Sequence, residues 1–431
     1  MPVDGVEAIR FDEYNGLNTK RSTFWKIAGA GASFQAGSSA VDSATIVASL
    51  VYQLTGSVFA VGAASAVLRL GWLLPQIVIG FLAQRADRRM PFYIVGAFGR
   101  ALCLGLIALL LAAAADLPLV WVGAGFLGLW SLYAFVSGIV AVPYNDIVGR
   151  SIPSTSRSRM LALRFFGGGV LALAVAAVVH RLLAAEALLT AHALIFALAS
   201  VLMLVSSLTF VSAGEPKAPR SSVSAFASFS DFVAGGWAVL RTDDRFRLFL
   251  FTQWLGAAAL MALPFYVIAA SELGLRTADV AILLAAQTAG SLASNAAWGR
   301  IGDRLGKIRL LETVGIVRLL PPLGALVLLT VADGNDGWSL FGFAAVFVLI
   351  GALVNGMTIA YLGYLMEISP DDRRPAYSAY FNAFASPAAL LPLAGAAIVD
   401  LFSLWAVFAA ALAAAALQLH LIRKLATKES D

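Results

Sequence analysis

The chain is short of what most functional classes require. Its 431 residues include one cysteine, Cys103, which rules out both a disulfide framework and a thiolate metal cluster. Cys103 lies inside an apolar run and reads as a small buried hydrophobe. The three histidines, His180, His192 and His420, have no metal-ligand spacing. Charged residues make up only 13% of the chain, against roughly 25% in soluble domains. Gly167-Gly-Gly169 lacks both the Gly-Lys-Ser/Thr continuation and the preceding strand of a phosphate loop, so ATP-driven pumping is not expected. No hydrolase constellation is present, and neither an enzymatic activity nor a cofactor is expected.

What the chain has is apolar length. Hydrophobic residues make up 60%, and the mean hydropathy is +0.85. A spanning helix needs about 20 mostly apolar residues. Twelve such stretches occur, near 25–53, 56–82, 92–115, 118–142, 160–184, 188–213, 247–271, 278–301, 308–332, 338–366, 376–400 and 402–423. The runs are continuous rather than alternating, which predicts helices and excludes a barrel. Abundant Ala and Gly suit close helix contact in lipid. The segment before residue 25 is polar and mixed in charge, unlike a signal peptide.

The chain therefore divides into a tail (1–24), a first six-helix bundle (25–213), a linker (214–246), a second bundle (247–423) and a closing tail (424–431). The linker carries Pro, Ser and charge. Phe226, Phe229, Phe232 and Trp237 predict one interfacial helix from about 224 to 241.

The net charge of +5 is a topology signal. Arg181 and Arg276 fall on one side of the membrane, and Arg69, Arg100 and Arg318 fall within segments. The other 25 of the 30 basic residues fall on the side of the two termini. The positive-inside rule puts that side in the cytoplasm. No nucleic-acid partner is implied.

Two loops repeat. Gly80-Phe-Leu-Ala-Gln84-Arg85-Ala-Asp87-Arg88-Arg89 follows the second segment, and Gly299-Arg300-Ile-Gly302-Asp303-Arg304-Leu-Gly306-Lys307-Ile-Arg309 follows the eighth, offset by 219 residues. The fourth and tenth segments also end alike. An acid (Asp146, Glu367) is followed by a proline (Pro153, Pro370) and a basic pair. The halves are copies of one unit.

On these motifs the chain resembles the major facilitator superfamily. Gly299, Asp303, Arg304, Gly306, Lys307 and Arg309 match that family's signature between its second and third helices. The first copy departs from it, with Gln84 in place of Asp and Asp87 in place of Gly. The resemblance implies an all-α fold of two pseudo-symmetric six-helix bundles, a central cavity and alternating access. Leu50 to Arg89, with Asp42 upstream, looks most like the siderophore and macrolide exporters of the family. Val142-Pro-Tyr-Asn145 with Arg164 is instead similar to sugar–cation symporters.

The resemblance further implies that helices one, four, seven and ten line the cavity. Gln35, Asp42, Trp130, Tyr133, Gln253, Trp254, Asn355, Thr358 and Tyr361 are then candidate contacts, with Gln287, Asn295 and Asn382 on neighbouring helices. Two readings of Asp42 stand, a proton-coupling carboxylate or a fixed ion pair with Arg69 at similar depth. Arg100 and Arg318 read as structural, with Glu312 near the latter. The loops read as gates, in which Arg85 or Arg88 would bridge Asp146 and Arg304 would bridge Glu367. The second loop keeps the full pattern and is expected to form the better gate.

The expected function is secondary transport of a small solute in the inner membrane, as proton-coupled export of an amphipathic, siderophore-like or drug-like compound. An ion-coupled symporter importing a sugar or other metabolite is one alternative. A non-transporting receptor or assembly factor is another. The expected partners are a small-molecule substrate, protons or another coupling ion, and lipid, with the chain a monomer.

Overall fold

A computed structural model of the chain describes residues 4–114, 117–216, 229–331, 338–369 and 374–430, without the side chains of residues 4–20 and of further positions concentrated at the loop-bearing end, Gln84, Arg85 and Asp303 among them. Among the described residues the secondary structure is helical, with no strand. Eleven helices are long and apolar enough to cross a membrane, and Ile46–Thr55 is a shorter apolar one.

The first bundle comprises α1 (Asp4–Ala40), α2 (Ile46–Thr55), α3 (Val58–Arg85), α4 (Met90–Ala112), α5 (Leu119–Ser151), α6 (Ser154–Ala185) and α7 (Leu188–Val211). Helix α8 (Phe229–Thr242) follows the linker. The second bundle comprises α9 (Asp244–Ala259), α10 (Phe265–Glu272), α11 (Val280–Arg304), α12 (Lys307–Val317), α13 (Leu320–Val331), α14 (Trp338–Ile368), α15 (Arg374–Ala385), α16 (Leu391–Leu401) and α17 (Leu404–Ser430). The pairs α1–α2, α9–α10, α12–α13 and α15–α16 are each one span broken near its middle. With these joined, the twelve segments read from the sequence are all present.

The breaks have local causes. Pro264, Pro321 and Pro392 sit at the starts of α10, α13 and α16, where a ring without an N–H ends one ladder and begins the next. The first span breaks without proline. There Asp42 takes over the free backbone donors at the start of α2, accepting from the amides of Ala44 and Thr45, each at 3.0 Å. The repeat offset places Asp42 opposite Met261, inside the short 3-10 turn Leu260–Ala262 that interrupts the seventh span. The two copies therefore bend at equivalent depth.

Neighbouring helices are joined by small residues and hydroxyl groups, as lipid-embedded packing requires. Ser33 donates to the Leu202 carbonyl (2.8 Å), Ser206 to Ala30 (2.7 Å) and Ser200 to Ala101 (2.8 Å). The tightest seam joins α11 to α14. A Cβ on Gly290 would lie 2.0 Å from the Val348 carbonyl oxygen, and one on Gly351 would lie 1.8 Å from that of Gln287. Both obstacles are backbone and have no rotamer to adopt. Gly351→Val should cost about 1–3 kcal/mol by overpacking, read as a lower melting temperature of the detergent-solubilised protein. A melting point equal to wild type would show that this seam is not the tight contact described.

Candidate functional site

Call the end that carries the repeated loops the basic face. Among the described residues, the hydrogen bonds and the glycine close approaches between the two bundles lie between mid-depth and the opposite end. Gln53 Nε2 donates to Thr277 Oγ1 (3.3 Å), and His180 Nδ1 lies 2.9 Å from the Ala278 carbonyl. Gly62 of α3 backs onto Pro392 and Ala396 of α16, where a Cβ would meet the Pro392 carbonyl oxygen at 2.6 Å. Gly169 of α6 faces Leu292 of α11 at 2.3 Å by the same measure. Nearer the middle, Gln287 Nε2 reaches Asp42 Oδ2 at 3.4 Å. These contacts close one mouth of the seam, and no described hydrogen bond or ion pair joins the bundles at the other.

Asp42 does not pair with Arg69, contrary to one reading of the sequence. Its Oδ1 caps α2, accepting from Ala44, Thr45 and the Thr45 hydroxyl (2.9 Å), while Oδ2 faces Gln287. Similar depth on consecutive helices did not bring the two side chains together. Arg69 lies seven residues beyond Gly62, at the same angular position on α3. It is half-buried and has no hydrogen-bond or ion-pair partner among the described residues.

The other buried cations are answered by neutral groups. Arg100 (4% exposed) lies 4.4 Å from the centroid of the Phe34 ring, an arrangement favourable to a cation. Arg318 (3% exposed) donates to Gln418 Oε1 (2.6 Å) and the Tyr361 hydroxyl (3.2 Å) and touches Met357 Sδ. Gln418 Nε2 donates in turn to the Thr252 carbonyl (3.0 Å) and to Tyr361. Gly256 makes room for this network, since a Cβ there would meet Arg318 Nη1 at 2.3 Å. Glu312 is not part of it. It turns outward to Arg309 (2.9 Å) and Arg423 (3.2 Å). Gln418 went unnoticed in the sequence because it sits in the last span, and only the fold carries it to Arg318.

The expected cavity residues separate. Tyr133 and Trp130 are buried and stacked on each other at 4.9 Å, inside a cluster with Phe126 and Phe196, so they are core. Asn355 bonds Ser291 within the second bundle, at 2.7 Å to its hydroxyl. Tyr361 belongs to the Arg318 network. Gln35 packs on Gly168 and is half-buried. Gln253 Oε1 is buried without a partner, and Trp254 is exposed while donating to the Phe384 carbonyl (3.1 Å). Thr358 and Asn382 are exposed, and Asn295 is half-buried.

The basic face is held differently from expectation. Asp146 pairs with Arg150 (2.5 Å) and Arg89 (3.6 Å), not with Arg88, which is exposed along with Asp87. The Arg85 side chain lies outside the described residues. The partner unseen in the sequence is Glu215, at the end of the sixth span. It accepts from the backbone amides of Arg89 (2.8 Å) and Met90 (2.9 Å) at the start of α4, and from Arg150 (2.7 Å). A carboxylate at a helix N-terminus answers both free donors and the dipole.

In the second copy Gly306 adopts φ +87°, the left-handed geometry that glycine permits, and Lys307 Nζ donates to the Gly302 carbonyl (3.1 Å). The first copy has Asp87 there and turns without a left-handed residue. Gly299 is in open space, Arg304 is exposed and not paired with Glu367, and the Asp303 side chain lies outside the described residues. The ion network among the described side chains lies in the first copy, while the acid of the second loop, Asp303, lies outside them.

Helix α8 packs on α15, and its expected start near 224 lies outside the described residues, which resume at Phe229. Phe226 lies outside the described residues, as do the side chains of Phe229 and Phe232. Trp237 meets Phe384 edge-on at 5.6 Å, Gly235 and Gly236 lie under Tyr380, and the Tyr377 hydroxyl donates to Asp243 (3.0 Å).

A pseudo-symmetric bundle of twelve apolar spans, its halves joined by the contacts above, is the architecture of a multi-pass membrane protein. The chain belongs to the Major Facilitator Superfamily, whose family description matches residues 27–386. No curated protein sequence matches it. Among solved structures it is similar in fold to a variant of the nucleoside transporter NupG (TM-score 0.70, 11% identity, covering 94% of this chain and 99% of that one). It is also similar to the POT family transporter PepTSo (0.67, 11%, 94% and 98%) and to a bacterial homologue of the iron transporter ferroportin in an inward-facing state (0.65, 11%, 95% and 98%).

Glu215 has a pH signature. Burial would raise its carboxyl, but the hydrogen bonds from Arg150, Arg89 and Met90 outweigh that and hold it below its ordinary value of 4.5. A lowered carboxyl stabilises the fold above the unfolded value, and that stabilisation fades as pH falls through the folded one. Glu215→Gln should lower the melting temperature at neutral pH, by about 1–2 kcal/mol of lost charge-assisted bonding. The gap to wild type should close below pH 4.5. A gap that persists unchanged into acid would assign it to packing instead.

Proposed function

We propose that the protein is a secondary active transporter that works by alternating access, in a state open to the cytoplasm. One observation carries this reading: the described hydrogen bonds and glycine close approaches between bundles lie between mid-depth and the mouth away from the basic face. The positive-inside rule puts the basic face in the cytoplasm of an inner-membrane protein. Rocking the bundles about the seam would open the sealed mouth and close the other.

Within that cycle the solute is exported against proton entry, as an amphipathic, siderophore-like or drug-like compound. Asp42 supports the proton arm. All its described bonds are accepted ones, the pattern of an ionised carboxylate. Its bond to Gln287 crosses the seam and is lost when the sealed mouth opens. Asp42 then takes a proton from outside and releases it in the state described here. Import in symport with an ion is the second reading, favoured by the Tyr144–Arg164 pair described below.

Two measurements test this. Gln53→Cys with Thr277→Cys, in a Cys103→Ser background, should crosslink on oxidation and stop flux in proteoliposomes, and reductant should restore it. Full flux through a crosslinked protein would sink alternating access at this seam. Asp42→Asn keeps an oxygen able to cap α2, so it should fold, yet flux should no longer follow an imposed pH gradient. Retained coupling in a folded Asp42→Asn protein would exclude Asp42 as the proton site.

A further inference from the structure

We infer that the transported solute carries a negatively charged group, and that Arg164 binds it. The inference rests on the transporter reading and adds the chemistry of the solute.

Arg164 lies in α6, five residues on the basic-face side of Gly169, where the bundles begin to touch. At the helical rise that is about 7.5 Å toward the parted mouth. It is half-buried and reachable, unlike Arg100 and Arg318. Its stem crosses the first span at Gly31, where a Cβ would stand 2.4 Å from Cδ. Nη1 donates to the Tyr144 hydroxyl (2.7 Å), and the guanidinium lies 5.1 Å from the centre of that ring. Nε is buried and has no acceptor. No carboxylate pairs with it.

A guanidinium keeps its charge at any physiological pH and carries five donors in a planar fork. Leaving such a group inside an apolar bundle without an anion is costly. Arg69, on α3 of the same bundle, repeats the situation. It is half-buried, has no hydrogen-bond or ion-pair partner among the described residues, and lies about 10 Å nearer the basic face than Gly62. The one described carboxylate facing the seam at mid-depth, Asp42, is occupied with capping α2 and reaches neither arginine. Among the described residues, neither arginine has a carboxylate partner. A carboxylate or phosphate on the solute supplies the missing charge and fits the Arg164 fork in bidentate fashion.

Gln35 lies one turn beyond Gly31 on the same face of α1, against Gly168 and on the way to Asp42. Ser39, one turn further, has a buried hydroxyl without a partner. An anionic head at Arg164 with a hydrogen-bonding body along this file uses each of these unanswered groups.

The test separates headgroup from tail. The melting temperature of the purified protein in detergent is followed with hexanoate, hexyl phosphate, hexanamide and hexylammonium. Hexanoate or hexyl phosphate should stabilise wild type in a saturable way, and the neutral and cationic analogues should not. Arg164→Gln should bind the anion about tenfold more weakly or worse. Arg164→Lys, which keeps the charge but not the fork, should fall between and stands in if the Gln variant does not fold. No anion-selective shift in wild type, or undiminished anion binding in a folded Arg164 variant, overturns the inference. Binding needs no gradient, so the two readings fail separately. An anion that binds at Arg164 but never crosses proteoliposomes sinks the transport reading alone. A neutral solute whose flux ignores Arg164→Gln sinks the anion alone.

Discussion

A charge or an open backbone donor inside an apolar bundle has no water to answer it, and most of those described here are met from within the chain. Asp42 exists beside α2 because the first span is interrupted and the new helix start needs an acceptor. Glu215 stands at the start of α4 for the same reason. Gln418 and Tyr361 hold Arg318, and the Phe34 ring holds Arg100. The close approaches at Gly256, Gly290 and Gly351 follow from this, because short distances between helices are what let these groups reach one another. Arg69 and Arg164, both half-buried on the first bundle, have no described carboxylate partner.

The architecture was readable because apolar length and the positive-inside bias are local, additive signals. Twelve segments, two matching loops and the acid-then-proline correspondence at Asp146 and Glu367 survive any rotation of the helices. The partners of those residues were not readable. Asp42 and Arg69 share a depth but not a direction, and depth is all that counting from helix ends provides. Arg89 rather than Arg88 reaches Asp146, because both lie in the connection between α3 and α4, where the chain's turn and not a helical period sets direction. Glu215 sat in a stretch dismissed as linker, and its role depends on where the sixth span ends relative to the third. Trp130 and Tyr133 lie on a predicted cavity helix yet face its bundle core.

The loop signature taught a similar lesson. The second copy keeps the left-handed Gly306 and the lysine that closes the helix before it, so its turn is built from local parts. The first copy lost the glycine, and a remote carboxylate, Glu215, holds the equivalent helix start. A degraded motif therefore marks a place where stabilisation passed to tertiary contacts, not a place where it vanished.

The unequal distribution of helix breaks sets how the two halves deform. Only the first span is divided in one bundle, whose basic face is also clamped by Glu215, Arg150, Asp146 and Arg89. The other bundle has its seventh, ninth and eleventh spans divided, and α8 strapped onto the lower piece of the last. The first bundle therefore has one joint and the second has three, all near mid-depth. Changes in membrane thickness or lateral pressure would then be absorbed almost wholly by the second half, leaving the Arg164 side of the seam dimensionally constant through the cycle.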